Sequence, residues 1–154
     1  MGFFTYACAL RWADMDAYGH VNNVQYARIA EEGRIRMLAG IFRPKGESAG
    51  GRHFVVAEQR IAFHRPLDYR AEPISVHVWV SALRGVSFDV ECLVCDGFLV
   101  HASCRTKVVS CDLDNAGIRA LTAAERARLS MFRDPPTGEF RPKPAPPGGH
   151  CPTR

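Results

Sequence analysis

At 154 residues the chain has the length of one domain with a substantial core, and 47% hydrophobic against 23% charged residues is an ordinary globular balance. No apolar run approaches the roughly 20 residues that cross a bilayer, and the opening MGFFTYACALRW lacks the basic start and small-residue cleavage pattern of a secretory leader. The net charge of +4 is mild, and no basic run interleaved with aromatics calls for nucleic acid.

Phe3 to Trp12 is apolar and aromatic enough for a first strand, which delivers the chain into a polar loop holding Asp14, Asp16, Gly19, His20, Asn22 and Asn23. From Asn23 to about Gly40 the period becomes helical: Tyr26, Ile29, Ala30, Gly33, Met37 and Ile41 recur at three- and four-residue steps. Arg28, Glu32 and Arg36 form a ladder four residues apart on another face. Gly33 costs a helix about 1 kcal/mol relative to Ala, and close approach to a sheet is a reason to bear it. Arg43 to Gly51 is a loop by composition.

Four strands follow. The first, His53 to His64, is expected to put Val55, Ala57, Ile61 and Phe63 on one face, and Pro66 ends it. In the second, Ile74, Val76, Val78, Val80 and Ala82 alternate with Ser75, His77, Trp79 and Ser81. Arg84-Gly85 then turns the chain into Phe88, Val90, Cys92 and Val94, and Asp96-Gly97 signals a two-residue hairpin turn. The last strand carries Phe98, Val100, Ala102, Cys104 and Val108 on its apolar face. Leu121 to Phe132 reads as a short helix capped by Thr122, with Glu125 closing a capping box. Residues 1–132 are therefore expected to form one domain, and the Pro- and Gly-rich residues 133–154 a disordered tail.

Consecutive hairpins with a single long helix near the front read as α+β, the helix lying on one face of an antiparallel sheet. One helix cannot cover both faces. Trp79 and Leu99, on the nominally polar faces, are therefore expected at a subunit contact, and an edge strand invites a second copy.

The loop before the helix has an internal logic. Asn22 suits the N-cap, and Gln25 three residues on completes a capping-box pattern. The amide of Asn23, the first helical residue, then has no partner inside the helix, and a free amide at the positive helix end suits a developing oxyanion. Gly19 lets the chain turn sharply and carry Asp16 back over that end. An acid facing a free amide across a small gap fits attack on an activated carbonyl. The competing reading is an ordinary helix start whose aspartates satisfy local amides.

The run D-x-D-x-x-G-H-V-N-N-x-x-Y followed by E-E-x-R is carried here by Asp14, Asp16, Gly19, His20, Val21, Asn22, Asn23, Tyr26, Glu31, Glu32 and Arg34. It resembles the signature of the 4-hydroxybenzoyl-CoA thioesterase-like family of hotdog-fold acyl-CoA thioesterases, and the similarity extends to about Leu129. The resemblance implies a hotdog fold, a long helix wrapped by a curved five-stranded antiparallel sheet. It also implies hydrolysis of an acyl-CoA thioester and a homodimer or homotetramer that pairs its sheets. The family's catalytic acid falls on Asp16 and its carbonyl-polarising amide on Asn23.

Asp16 would act as a nucleophile that forms a mixed anhydride or as a general base toward water. His20 either orients substrate or assists proton transfer, or else orders the loop through a hydrogen bond. Tyr26, on the apolar stripe, is core or pocket wall. Asp14 is expected to hold the loop together, and Glu31 and Glu32 to pair with Arg28, Arg34 or Arg36. His64, Arg65 and Asp68 lie where CoA could be met, but a Pro-containing turn needs polar residues in any case, so no role is assigned to them.

Cys92 and Cys95 form a C-x-x-C inside a strand pattern, where residues three apart face opposite ways and neither chelate one metal nor bridge. Reduced thiols and a cytoplasmic location are expected. The histidines show no ligand spacing and there is no G-x-S-x-G elbow, so neither a metal site nor a Ser–His–Asp hydrolase is expected. No cofactor is called for beyond CoA as part of the substrate. An acyl-carrier-protein thioester is the other possible carrier, and neither nucleic acid nor membrane is an expected partner. The rival functions are an enoyl-thioester hydratase on the same fold, which would pair Asp14 or Asp16 with His20, and a non-catalytic acyl-thioester-binding module.

Overall fold

The two periods in the sequence become one antiparallel sheet crossed by one long helix. The computed structural model describes residues 2–42, 52–112, 114–115 and 117–136. In chain order it contains β1 (Phe4–Cys8), a 3₁₀ turn (Trp12–Asp14), α1 (Asn23–Phe42), β2 (Arg52–Phe63), β3 (Ile74–Leu83), β4 (Ser87–Asp96), β5 (Leu99–Asp112), β6 (Gly117–Ile118) and α2 (Ala123–Ser130). The long strands lie in the order β1-β3-β4-β5-β2, every pairing antiparallel, and the two-residue β6 pairs with β5. This is the α+β hotdog architecture, a long helix with a curved five-stranded sheet around it. The loop expected over 43–51 lies outside the described residues. So does most of the expected tail, of which only 133–136 are described, without helix or strand.

The helix buries the stripe that its period announced: Tyr26, Ile29, Ala30, Gly33, Met37 and Ile41. These meet Ile74, Val76, Val78 and Val80 of β3 and Phe88, Val90, Cys92 and Val94 of β4 in one apolar core. Gly33 is the closest approach: a Cβ there would stand 2.9 Å from Val78 Cγ2 and 3.0 Å from Tyr6 Cε1. The Tyr6 hydroxyl donates to the Ile29 carbonyl at 2.9 Å, fastening β1 across the same helix.

Three local expectations need correction. In β2 a bulge between Val56 and Glu58 shifts the register by one residue, so the strand does not keep a single phase. Phe54 and Ile61 pack on the core while Val55 and Ala57 are exposed. The β4–β5 turn falls on Gly97 and Phe98 rather than Asp96 and Gly97, because Asp96 pairs with Leu99, and Gly97 takes a φ of 56°. Trp79 is half-buried within its own subunit, against a second apolar cluster of Leu93, Cys95 and Val100, whereas Leu99 is exposed. Gln25 does not close a capping box at the start of α1. Its side-chain oxygen accepts from Arg28 Nε, and the Asn22 amide donates to the Asp14 carbonyl instead.

Cys92 faces the helix and Cys95 the opposite cluster. Thr122 caps α2 in a complete box with Glu125, whose carboxylate also holds Arg119 at 2.7 and 2.8 Å. Among the described residues no helix is long and apolar enough to cross a membrane.

Candidate active site

The loop between β1 and α1 is folded on its own backbone. The Asp16 amide donates to the His20 carbonyl at 2.7 Å, the Gly19 amide donates to the Asp16 carbonyl at 3.2 Å, and Gly19 takes a φ of 81° to close the turn. Asp16 Oδ1 accepts the amides of Tyr18 at 2.8 Å and His20 at 3.1 Å. Asp16 Oδ2 bonds no described residue. One oxygen thus fixes the carboxylate and the other stays available.

Asp14 is wholly buried beneath this turn. Its carboxylate accepts the Arg11 amide at 2.8 Å, Arg11 side-chain nitrogens at 3.0 and 2.7 Å, and Arg28 at 3.1 Å. Burial alone would push its pKa up, but the bonds from Arg11 and the charge of Arg28 outweigh it and hold the carboxyl below its ordinary range. Asp14 is a structural anchor and does not line the cavity described next.

At the start of α1, Asn22 Oδ1 accepts from the Val24 amide at 3.2 Å, and the Gln25 amide donates to the Asn22 carbonyl at 2.9 Å. Among the described residues the Asn23 amide donates to no protein acceptor. Asp16, His20, Val21, Asn23 and Tyr26 line one cavity of about 380 Å³, together with Phe63, His64, Arg65 and Pro66 from the end of β2. The four residues singled out in the sequence are therefore brought together. Of the β2 wall, His64 and Arg65 were noted in the sequence as groups that CoA could meet, without a role, and Phe63 and Pro66 were not singled out for the site.

Backbone bonds dock that wall: Val21 N donates to the Leu67 carbonyl at 2.7 Å, His20 bridges Asp68, and the amides of His64 and Arg65 both donate to the His101 carbonyl. Tyr26 is buried edge-to-face on Phe63, with ring centroids 5.3 Å apart. Burial, with the charge of Asp16 adding to it, pushes the Tyr26 phenol up to about 12, so it stays protonated. The His64 ring bonds Ser103 Oγ through Nε2 at 2.8 Å, and burial pulls its pKa below the ordinary histidine range. His20 Nε2 stands 3.7 Å from an exposed carboxylate oxygen of Asp68. Its side chain is not paired with Asp14 or Asp16, the pairs a hydratase would use; only its backbone amide and carbonyl reach Asp16. Glu31 and Glu32 pair with Arg34 and Arg36, away from the cavity. Among the described residues no group of three or more His, Cys, Asp or Glu is placed to hold a metal ion.

A polar corner with a free carboxylate oxygen and an unbonded helix-end amide, beside an aromatic wall, suits a planar electrophilic carbonyl carrying an apolar substituent. No curated protein matches the chain by sequence. Among solved structures it is similar to a protein described as a predicted thioesterase from Bacillus stearothermophilus, at 19% identity and TM-score 0.79, covering 88% of this chain and 100% of that one. The PA5185 protein of Pseudomonas aeruginosa strain PAO1 is similar at 20% identity and TM-score 0.73, covering 87% and 92%. A thioesterase from Thermus thermophilus, solved in complex with coenzyme A and Zn, is similar at 27% identity and TM-score 0.69, covering 82% and 91%. Residues 10–148 match the family described as the thioesterase-like superfamily. The chain belongs to the thioesterase-like superfamily, and its reaction class is thioester hydrolysis.

Proposed function

We propose that the protein hydrolyses an acyl-CoA thioester to the free acid and CoA, with Asp16 as the acting carboxylate and the Asn23 amide as the oxyanion donor. The observation that carries this reading is the meeting, in one cavity, of a carboxylate oxygen and a helix-end amide that no described residue occupies. Two routes use the same geometry. In one, Asp16 Oδ2 attacks the carbonyl carbon, the C–S bond breaks, and water later cleaves the mixed anhydride. In the other, Asp16 takes a proton from water as that water attacks. In both, charge gathers on the carbonyl oxygen and the Asn23 amide donates to it.

His20 and Tyr26 bound the space for the thioester, with Phe63 behind Tyr26. This chemistry calls on no resident metal or redox cofactor, CoA entering as part of the substrate. CoA as the carrier is supported by the coenzyme A held by the Thermus relative and by this chain's net positive charge. A homodimer or higher homo-oligomer is supported by β2, a twelve-residue edge strand with exposed Val55, Val56 and Phe63. The unpaired thiols of Cys8, Cys92, Cys95 and Cys104 support a cytoplasmic location.

The test is CoA release from acetyl-, octanoyl-, palmitoyl- and benzoyl-CoA by wild type and Asp16→Asn. Turnover of at least one substrate, reduced on the order of 10³-fold or more in the variant, is expected. Full activity in Asp16→Asn, or binding without turnover across the panel, overturns the reading. With crotonyl-CoA added to the panel, loss of enoyl absorbance without CoA release would identify a hydratase instead.

A further inference from the structure

The cavity holds a second group suited to proton transfer. His64 directly follows β2, and its amide donates to the His101 carbonyl at 2.8 Å. Its Nε2 lies 2.8 Å from Ser103 Oγ on β5, while Nδ1 bonds no described residue. Such a pair is the arrangement of a serine nucleophile and its base. Ser103, however, does not line the cavity, whereas His64 does. The serine therefore holds the ring of a residue that lines the cavity.

We propose that His64 is the base that activates the hydrolytic water, with Ser103 as its positioning residue. The proposal rests on Asp16 as the reacting carboxylate and selects the nucleophilic route. In the first step Asp16 Oδ2 bonds to the acyl carbon and the C–S bond breaks; the thiolate leaves and takes a proton from solvent. Asp16 is then tied up in a mixed anhydride and carries no charge with which to activate water. In the second step a water oxygen bonds to the acyl carbon while His64 Nδ1 takes the water proton. The bond from the acyl carbon to Asp16 breaks, the carboxylate is restored, the free acid departs, and the imidazolium returns its proton to solvent. Net, one thioester and one water give one acid and one thiol.

The other lining groups fit this role less well. Tyr26 is held protonated, Arg65 is a permanent cation, and Asn23 does not titrate. His20 is the one competitor, and its Nε2 is directed to Asp68. The Nε2–Ser103 contact fits either tautomer, and the one in which Nε2–H donates to Oγ leaves the lone pair on Nδ1, as a base requires. Burial lowers the pKa of the His64 ring and so favours its neutral form. The ionisable groups around it are Asp16 and His20 on the loop, Tyr26 on α1, Arg65 beside it and His101 on β5.

Quenched-flow chromatography of the full-length protein, counting CoA and free acid separately with the fastest acyl-CoA of the panel, tests the assignment. His64→Gln is expected to release a burst of about one CoA per subunit while free acid lags, and to lose on the order of 10²-fold in steady turnover. Wild-type kcat is expected to fall as the pH drops, and the variant to lose that dependence. Ser103→Ala is expected to keep the burst, slow acid formation about tenfold and shift that acid limb, with Ser103→Thr restoring both. Should His64→Gln not fold, His64→Asn replaces it.

Wild-type turnover and pH profile in the His64 variant overturn the assignment, as does loss of the CoA burst in a folded variant. Removal of the acid limb by His20→Gln instead also overturns it. Asp16→Asn separates the two readings: full activity there sinks the proposed chemistry itself. An Asp16→Asn protein with neither burst nor turnover, beside a bursting His64→Gln, supports both.

Discussion

Asp14 and Arg28, fourteen residues apart, meet at 3.1 Å, and their ion pair fastens the loop that carries Asp16 to the first turns of α1. The carboxylate is completely enclosed and takes Arg11 as well, so removing it leaves two guanidinium groups without their shared acceptor. Asp14→Ala is expected to lower unfolding free energy by about 3 kcal/mol in denaturant melts, the low end for a buried pair because both arginines reach solvent. Since the folded protein holds this carboxyl below its ordinary pKa, its stabilisation is complete above about pH 4. It is lost as the pH falls through the folded-state value. Wild type should therefore lose stability more steeply than Asp14→Ala on acidification. Parallel curves for the two proteins would refute this.

Gly33 sits where α1 crosses β3. A methyl there meets Val78 Cγ2 at 2.9 Å, Tyr6 Cε1 at 3.0 Å and Val76 Cγ1 at 3.4 Å, all ends of buried side chains with little room to yield. Alanine would gain about 1 kcal/mol of helix propensity and lose about 1–3 kcal/mol to overpacking. Gly33→Ala should be destabilising by about 1 kcal/mol net, read from the denaturation midpoint. A more stable variant would show that the helix can lift away.

At Gly19 a methyl group would find no atom within 4 Å, so backbone conformation decides the outcome of a substitution. With φ at 81°, an L side chain there costs about 1–2 kcal/mol. Because Asp16 and His20 flank this turn, Gly19→Ala should reduce kcat by more than its loss of melting temperature accounts for. Unchanged kcat would mean that Asp16 keeps its place without the turn.

The thiols of Cys92 and Cys95 lie inside the two apolar clusters, and burial raises the pKa of both, that of Cys95 to about 11. Neither thiolate forms to a useful extent at about pH 8. Iodoacetamide should modify both only under unfolding conditions, and peptide mass spectrometry before and after urea reads the result. Labelling of either in native buffer would expose an opening of the core.

The helix, its buried stripe, the capped α2 and the polar corner around Asp16 and Asn23 were legible because each is encoded within a few residues of itself. Period sets the first two, capping chemistry the third, and a helix end left without an internal acceptor the fourth. Of the opposite wall, His64 and Arg65 were noted without a role, and its meeting with the loop was not legible. Phe63, His64, Arg65 and Pro66 reach the loop only because Val21 and His20 pair with Leu67 and Asp68, a contact no local pattern announces. The bulge after Val56 similarly hid which β2 residues face inward, since one unpaired residue reverses the alternation. The apolar cluster beside Trp79 on the far side of the sheet was not legible for a related reason: three strands assemble it.

Strand β2 is at once the bare margin of the sheet and the source of Phe63, with His64 next in the chain. Whatever adds a strand along that margin also stiffens one side of the cavity. If a second copy occupies it, mass action couples catalysis to protein concentration: specific activity should decline on dilution through the dissociation range and recover when the sample is concentrated again.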